Sequence, residues 1–254
     1  MHPLMTVIGG PPGSGKTRTG ISNIDKNQEY FNIGNRCAEL NNGSFRKITP
    51  EIRNIAAKEC ERWVLQHIHE GKSFGVESTF RSDVAVRQAM IAQTKGFATH
   101  LYFYSLENPE LNIERVKARA YSGGHSAPTD NIKKTYTASI SNLAKAFFVF
   151  DVVRGFDNTH ERPREIFMVE KSKLKEMISD PPLWARNALE RSCLIEYLSP
   201  PLPELTQYVS QRENIEKFIK DMDRREKNFK EFNQESKKTE KTPSLYRDTD
   251  GRER

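Results

Sequence analysis

The 254-residue chain has little cysteine: Cys37, Cys60 and Cys193, an odd number at wide spacings. That excludes a disulfide framework and a zinc site, and buried reduced thiols are the simpler reading. Long apolar runs are also missing. Without an early apolar core segment or a run of membrane length, neither a cleaved signal peptide nor a membrane span is read, and a cytoplasmic location is expected. Hydrophobic residues make up only 36% and charged residues 29%. This is lean for a compact globule, so some segment should pack poorly. Charge of one sign is scarce too. A net charge of +6 fits an anionic ligand but is too small to argue for nucleic acid. No internal repeat is present.

What is there is an alternation. Leu4–Ile8 reads as a buried strand, and a glycine-rich turn follows it. "EYFNI" (29–33), "KSFGVEST" (72–79), "ATHLYFYSL" (98–106), "VFDVVRGFDN" (149–158) and "REIFMVE" (164–170) read as further strands. Between them, helical spacing covers about 51–70, 82–95 (with Ser82 or Asp83 as its cap), 109–120 and 131–148. "SGGHSAPTD" (122–130) is a loop by its Gly and Pro content. Strand–helix alternation predicts an α/β domain: a P-loop NTPase-like parallel sheet with helices on both faces, over residues 1–180. Residues 181–236 are expected to form a charged helical extension, and 237–254 a disordered tail. With 13 Lys/Arg and 11 Asp/Glu over 212–254, that end is mixed in sign rather than basic.

The turn is the chemical signal. Gly10 to Thr17, within "GGPPGSGKTR", fits G-x-x-x-x-G-K-[ST] after a strand and before a helix. Gly10, Gly13, Ser14 and Gly15 let backbone N–H groups close around phosphate oxygens, at a helix N-terminus that favours anions. Lys16 can reach the β- and γ-phosphates, and the Thr17 hydroxyl can bind Mg²⁺. ATP with Mg²⁺ is therefore the expected ligand. No apolar strand ending in Asp or Asp-Glu follows shortly after, and the chain is short. Both features favour a small kinase over a motor or a switch.

With the opening motif, "VEST" (76–79), "ERVKARAYSGGHSAPTDNIKKTYTASISNL" (114–143) and "FDN" (156–158) resemble the zeta toxin family over roughly residues 4–170. The resemblance implies a P-loop small-molecule kinase acting on UDP-N-acetylglucosamine or a related nucleotide sugar, with a small antitoxin protein as partner. It implies that Asn32, Glu77 and Thr79 hold the acceptor. It also implies that Arg115 and Arg119, on one helix face, neutralise charge on the transferring phosphoryl group. By the same resemblance His125 matches a loop near nucleotide or substrate, as a substrate contact, and Asp157-Asn158 matches the family's Asp-Asn after the fifth strand.

The chain departs from the family at one place. In "YFNIGNRCAEL" (30–40), Gly34 stands where the family carries the aspartate that accepts the acceptor hydroxyl's proton. A glycine cannot do this. Asp83 is a candidate substitute base, though a helix cap is its more natural role, and Asp25 is another without positional support. Three functions follow. The first is a nucleotide-sugar kinase, impaired to the extent that the missing aspartate is not replaced. The second is a catalytically inactive nucleotide-binding protein acting through a partner. The third is a polynucleotide or nucleoside kinase, disfavoured by the balanced tail and the lack of aromatics among the basic residues.

Overall fold

The structure, a computed structural model, describes residues 2–195 apart from His125 and Cys193. In chain order it contains β1 (Leu4–Gly9), α1 (Lys16–Gly20), β2 (Glu29–Phe31), α2 (Ile33–Leu40), α3 (Pro50–Glu70), β3 (Phe74–Ser78) and α4 (Val84–Thr94). There follow β4 (Ala98–Ser105), α5 (Pro109–Tyr121), α6 (Thr129–Ala146), β5 (Val152–Asp157), β6 (Arg164–Glu170), β7 (Lys173–Met177) and α7 (Leu183–Arg191). The strands form one sheet in the order β2-β3-β1-β4-β5-β6-β7.

The first five strands are parallel, as the alternation predicts. Their apolar runs are buried because helices cover the sheet: Met5, Val7, Phe74, Val76, Leu101, Phe103 and Val153 share one core with Val64, Ala89 and Leu143. Helix starts follow local chemistry. Asn108 and Thr49 accept the N–H groups of Leu111 and Ile52, each with a proline at the next position.

The sheet is not all parallel. β6 and β7 run antiparallel at one edge. The chain between β5 and β6 is too short for a crossover helix, so the next strand must fold back. The β6–β7 turn is Lys171-Ser172, with φ of 47° and 59°. These left-handed values suit a tight hairpin, but neither residue advertises one as Asn-Gly would, so the sequence reading misses β7. It also misses α2: Ile33, expected to end a strand, begins a helix because the Asn32 side chain accepts the Asn35 N–H at 3.0 Å. The expected boundary at 180 falls just before α7, whose Trp184, Ala185, Ala188 and Leu189 lie in the core. The extension beyond residue 195 and the tail over 237–254 lie outside the described residues.

Candidate active site

The P-loop joins β1 to α1 at the C-terminal ends of the parallel strands, where open α/β sheets bind ligands. Its glycines are required by geometry. Gly10 has φ 139°, and a Cβ there would stand 2.0 Å from the Tyr104 carbonyl oxygen; Gly15 has φ 79°, and its Cβ would meet Asn158 Nδ2 at 2.1 Å. Two asparagines clamp the loop from outside. Asn112 on α5 donates to Pro12 O at 2.6 Å, and Asn158, just after β5, donates to Ser14 O at 2.8 Å. Asn112 escapes sequence reasoning, since a polar residue in an amphipathic helix gives no sign that it is fully buried against a loop 100 residues earlier.

Lys16 is buried beneath the loop. It donates to Pro11 O at 3.3 Å and lies 3.7 Å from Glu77 Oε1. Burial lowers its pKa, and the nearby Arg119 adds to this, while the Glu77 carboxylate opposes both. Glu77 is the hub of the site. Its Oε2 accepts the Thr17 hydroxyl at 2.8 Å, the Tyr30 hydroxyl at 3.0 Å and the Asn32 amide at 2.8 Å. Burial and this same carboxylate push the Tyr30 phenol up, which keeps it a donor. β3 lies beside β1 in the sheet, so a carboxylate at the end of β3 necessarily faces the first turn of α1. Glu77, the last residue but one of β3, thus sits beside the P-loop strand; the resemblance marks it as an acceptor contact, and its bonds to P-loop residues follow only from the sheet order.

The two α5 arginines part company. Arg115 donates to the carbonyls of Asn158 and Thr159 at 2.9 and 2.8 Å. It braces the segment that clamps the P-loop, a role different from the phosphoryl contact implied by resemblance. Arg119, one turn on, is exposed, close enough to Lys16 and Glu77 to interact with both charges. Desolvation lowers its pKa and the Glu77 charge raises it. No hydrogen bond fixes its guanidinium among the described residues, which leaves its donors for a ligand.

Of the remaining candidates, Asn32 belongs to the Glu77 cluster. The Thr79 carbonyl accepts from Ser139 at 2.6 Å, and its hydroxyl makes no hydrogen bond among the described residues. Asp157 holds a turn, accepting the Thr159 N–H and hydroxyl at 3.0 and 2.6 Å. Asp83 stands at the α4 cap position but pairs with Arg87 at 3.3 Å instead of capping. Asp25 turns around Asn27 and Gln28, and the Gln28 amide reaches Leu4 O at the start of β1. That end of the strand is roughly 17 Å from the P-loop at 3.3 Å per residue. Gly34 is the second residue of α2 and has helical backbone; among the described residues only Asn32 Oδ1, at 3.0 Å, would meet a Cβ there. His125 lies outside the described residues.

Comparison with known proteins agrees with this architecture. An uncharacterised protein of Haemophilus influenzae is 28% identical over 127 residues, 50% of this chain and 88% of its own. The structure of the Streptococcus pneumoniae PezAT chromosomal toxin–antitoxin system superposes with a TM-score of 0.54 at 15% identity, covering 87% of both chains. The AvrRxo1-ORF1:AvrRxo1-ORF2 complex gives 0.57 at 14% identity over 88% of this chain and 76% of its own, and the same complex with ATP gives 0.54 at 15% over 85% and 74%. Identities this low speak to the fold alone. The family model described as zeta toxin matches residues 1–163, well over half of the sequence. With that match and a P-loop whose Lys16 and Thr17 meet Glu77, the chain belongs to the zeta toxin family, whose members are P-loop kinase-like proteins.

Proposed function

We propose that the protein is an ATP-dependent phosphotransferase that moves the γ-phosphoryl group of ATP to a sugar hydroxyl of UDP-N-acetylglucosamine or a related nucleotide sugar. The observation that carries this reading is the Glu77 carboxylate meeting both P-loop residues, Lys16 at 3.7 Å and the Thr17 hydroxyl at 2.8 Å, with the Arg119 charge close by. The similar complex with ATP supports the choice of nucleotide. Lys16 and the loop N–H groups grip the phosphates. Arg119 spreads positive charge over the γ-phosphoryl oxygens as the transfer proceeds, which suits a guanidinium because it stays charged and donates two parallel bonds. Transfer of this kind depends mostly on positioning and charge, so it survives without a strong base at reduced rate.

Magnesium fits the residues present. The Thr17 hydroxyl and the Glu77 carboxylate are 2.8 Å apart and supply the hard oxygen ligands such an ion takes. When bound, Mg²⁺ would neutralise phosphate charge between them. Tyr30 and Asn32 would keep the carboxylate aimed. Asn32, Glu77 and Thr79 also line the side from which an acceptor approaches. A protein antitoxin is the partner this reading includes, as in the PezAT system.

A second reading, nucleotide binding without catalysis, is favoured by Gly34 alone. Incubation with ATP, Mg²⁺ and a panel of UDP-sugars separates the two. Mass spectrometry should find one added phosphate on one or more of the sugars. No phosphorylated product, with ATP bound, would leave the binding reading.

The arginines provide a sharper check. Arg119→Ala should lower the transfer rate by about 10²–10³ with little change in melting temperature, as for loss of one donor to a developing charge. Arg115→Ala should instead lower stability, by about 1–3 kcal/mol, because two inward carbonyls lose their donor. Thermal melts and turnover measured on both variants test the pair, and a reversed pattern would exchange their roles.

A further inference from the structure

Five described non-glycine residues have positive φ, and four of them are on turns at the surface. The fifth is Phe80, with φ 55° and 1% exposure. A buried aromatic in the left-handed region is an outlier that persists only where its surroundings over-determine it. Here they do. The Phe80 ring packs edge-on against Phe103, with centroids 5.8 Å apart, and lies against Gly9, where a Cβ would come within 3.0 Å of it. The Phe80 N–H donates to Ser78 Oγ at 3.0 Å. The Ser78 carbonyl accepts the Gly10 N–H at 3.2 Å, tying the turn to the P-loop.

Two buried side chains one turn apart on α6 complete the hold. Asn142 Nδ2 donates to the Phe80 carbonyl at 2.9 Å. Ser139 Oγ lies 2.6 Å from the carbonyls of Thr79 and Thr135, and its single proton serves one of them at a time. Both polar groups look inward at one irregular turn, and that turn directly follows Glu77. Relaxing Phe80 to negative φ would swing Ser78 and Thr79 relative to the ring anchored in the core.

We propose that Asn142 and Ser139 are positioning residues that hold the strained segment Glu77–Phe80 in the shape that receives the acceptor. This rests on the acceptor reading given above. The two residues bond the carbonyls of Thr79 and Phe80, beyond Glu77, and no P-loop residue, so the acceptor should respond far more than MgATP. In Asn142→Leu, which keeps the volume and removes the donor, calorimetry should show MgATP affinity within twofold of the parent. The dissociation constant and KM for UDP-N-acetylglucosamine should rise tenfold or more. Ser139→Ala, a smaller change, should show the same split at lower amplitude, and it carries the test if Asn142→Leu does not fold. If both ligands weaken together, or if acceptor affinity stays within twofold in the folded variants, the assignment is overturned and the acceptor reading stands. A parent that neither binds nor phosphorylates UDP-N-acetylglucosamine overturns the acceptor reading and this assignment with it.

Discussion

Replacing Gly34 by aspartate is expected to raise the rate of phosphoryl transfer by about 10²–10⁴, the usual worth of general-base assistance. In barrier terms this is roughly 3–5 kcal/mol. The fold does not oppose the change. Gly34 has helical φ, so no left-handed strain accompanies a side chain. A Cβ would stand 3.0 Å from Asn32 Oδ1, so that side chain must give way by a few tenths of an ångström. The first turn of α2 carries no acid at present, and a carboxylate there gains about 0.3–1 kcal/mol from the helix dipole. Asn32 donates to Glu77, so position 34 lies two residues from a side chain that is already part of the site. The check is a rate comparison at saturating ATP and UDP-N-acetylglucosamine. A folded Gly34→Asp protein with no gain would show that the proton leaves by another route, or that the phosphate grip serves something other than catalysis.

Lys16→Ala should weaken MgATP binding by about 100-fold or more, which is about 2.8 kcal/mol at 1.4 kcal/mol per tenfold. Two effects act with one sign. The phosphates lose their buried cation, and the Glu77 carboxylate, 3.7 Å away in the parent, is left facing them without its counter-charge. The folded state should tolerate the loss better than binding does. Glu77 keeps three donors, Thr17, Tyr30 and Asn32, so the carboxylate is not orphaned. Calorimetry with a parallel melt measures both quantities. Equal affinity in the two proteins would remove the nucleotide from this account.

The fold was legible where chemistry is local. The P-loop reads directly because every glycine in it answers a nearby steric demand, and the parallel strands read from runs too apolar to face water. What stayed hidden depends on contacts across the sheet. Nothing in "EKSK" announces a hairpin, since Lys171 and Ser172 adopt left-handed backbone only because the strands on either side pair. Arg115 and Arg119 share a helix face and look equivalent in sequence. Only the position of the segment after β5 decides that one braces carbonyls and the other stays open. Glu77 was found by resemblance as an acceptor contact, whereas its bonds to Thr17 and its approach to Lys16 depend on β3 lying next to β1.

The clamps on the P-loop bear on when the protein becomes usable. Asn112 reaches Pro12 across 100 residues of chain, and Asn158 reaches Ser14 across 144. At about 5–20 residues per second of synthesis, the second clamp is made roughly 7–30 s after the glycine-rich loop it holds. The loop therefore leaves the ribosome early and waits, with neither asparagine in place, β4 not yet beside β1 and β5 not yet beside β4. A product that stops short of β5 carries the whole phosphate motif but not the brace that shapes it. Such a fragment should grip nucleotide poorly however faithfully its first twenty residues are copied.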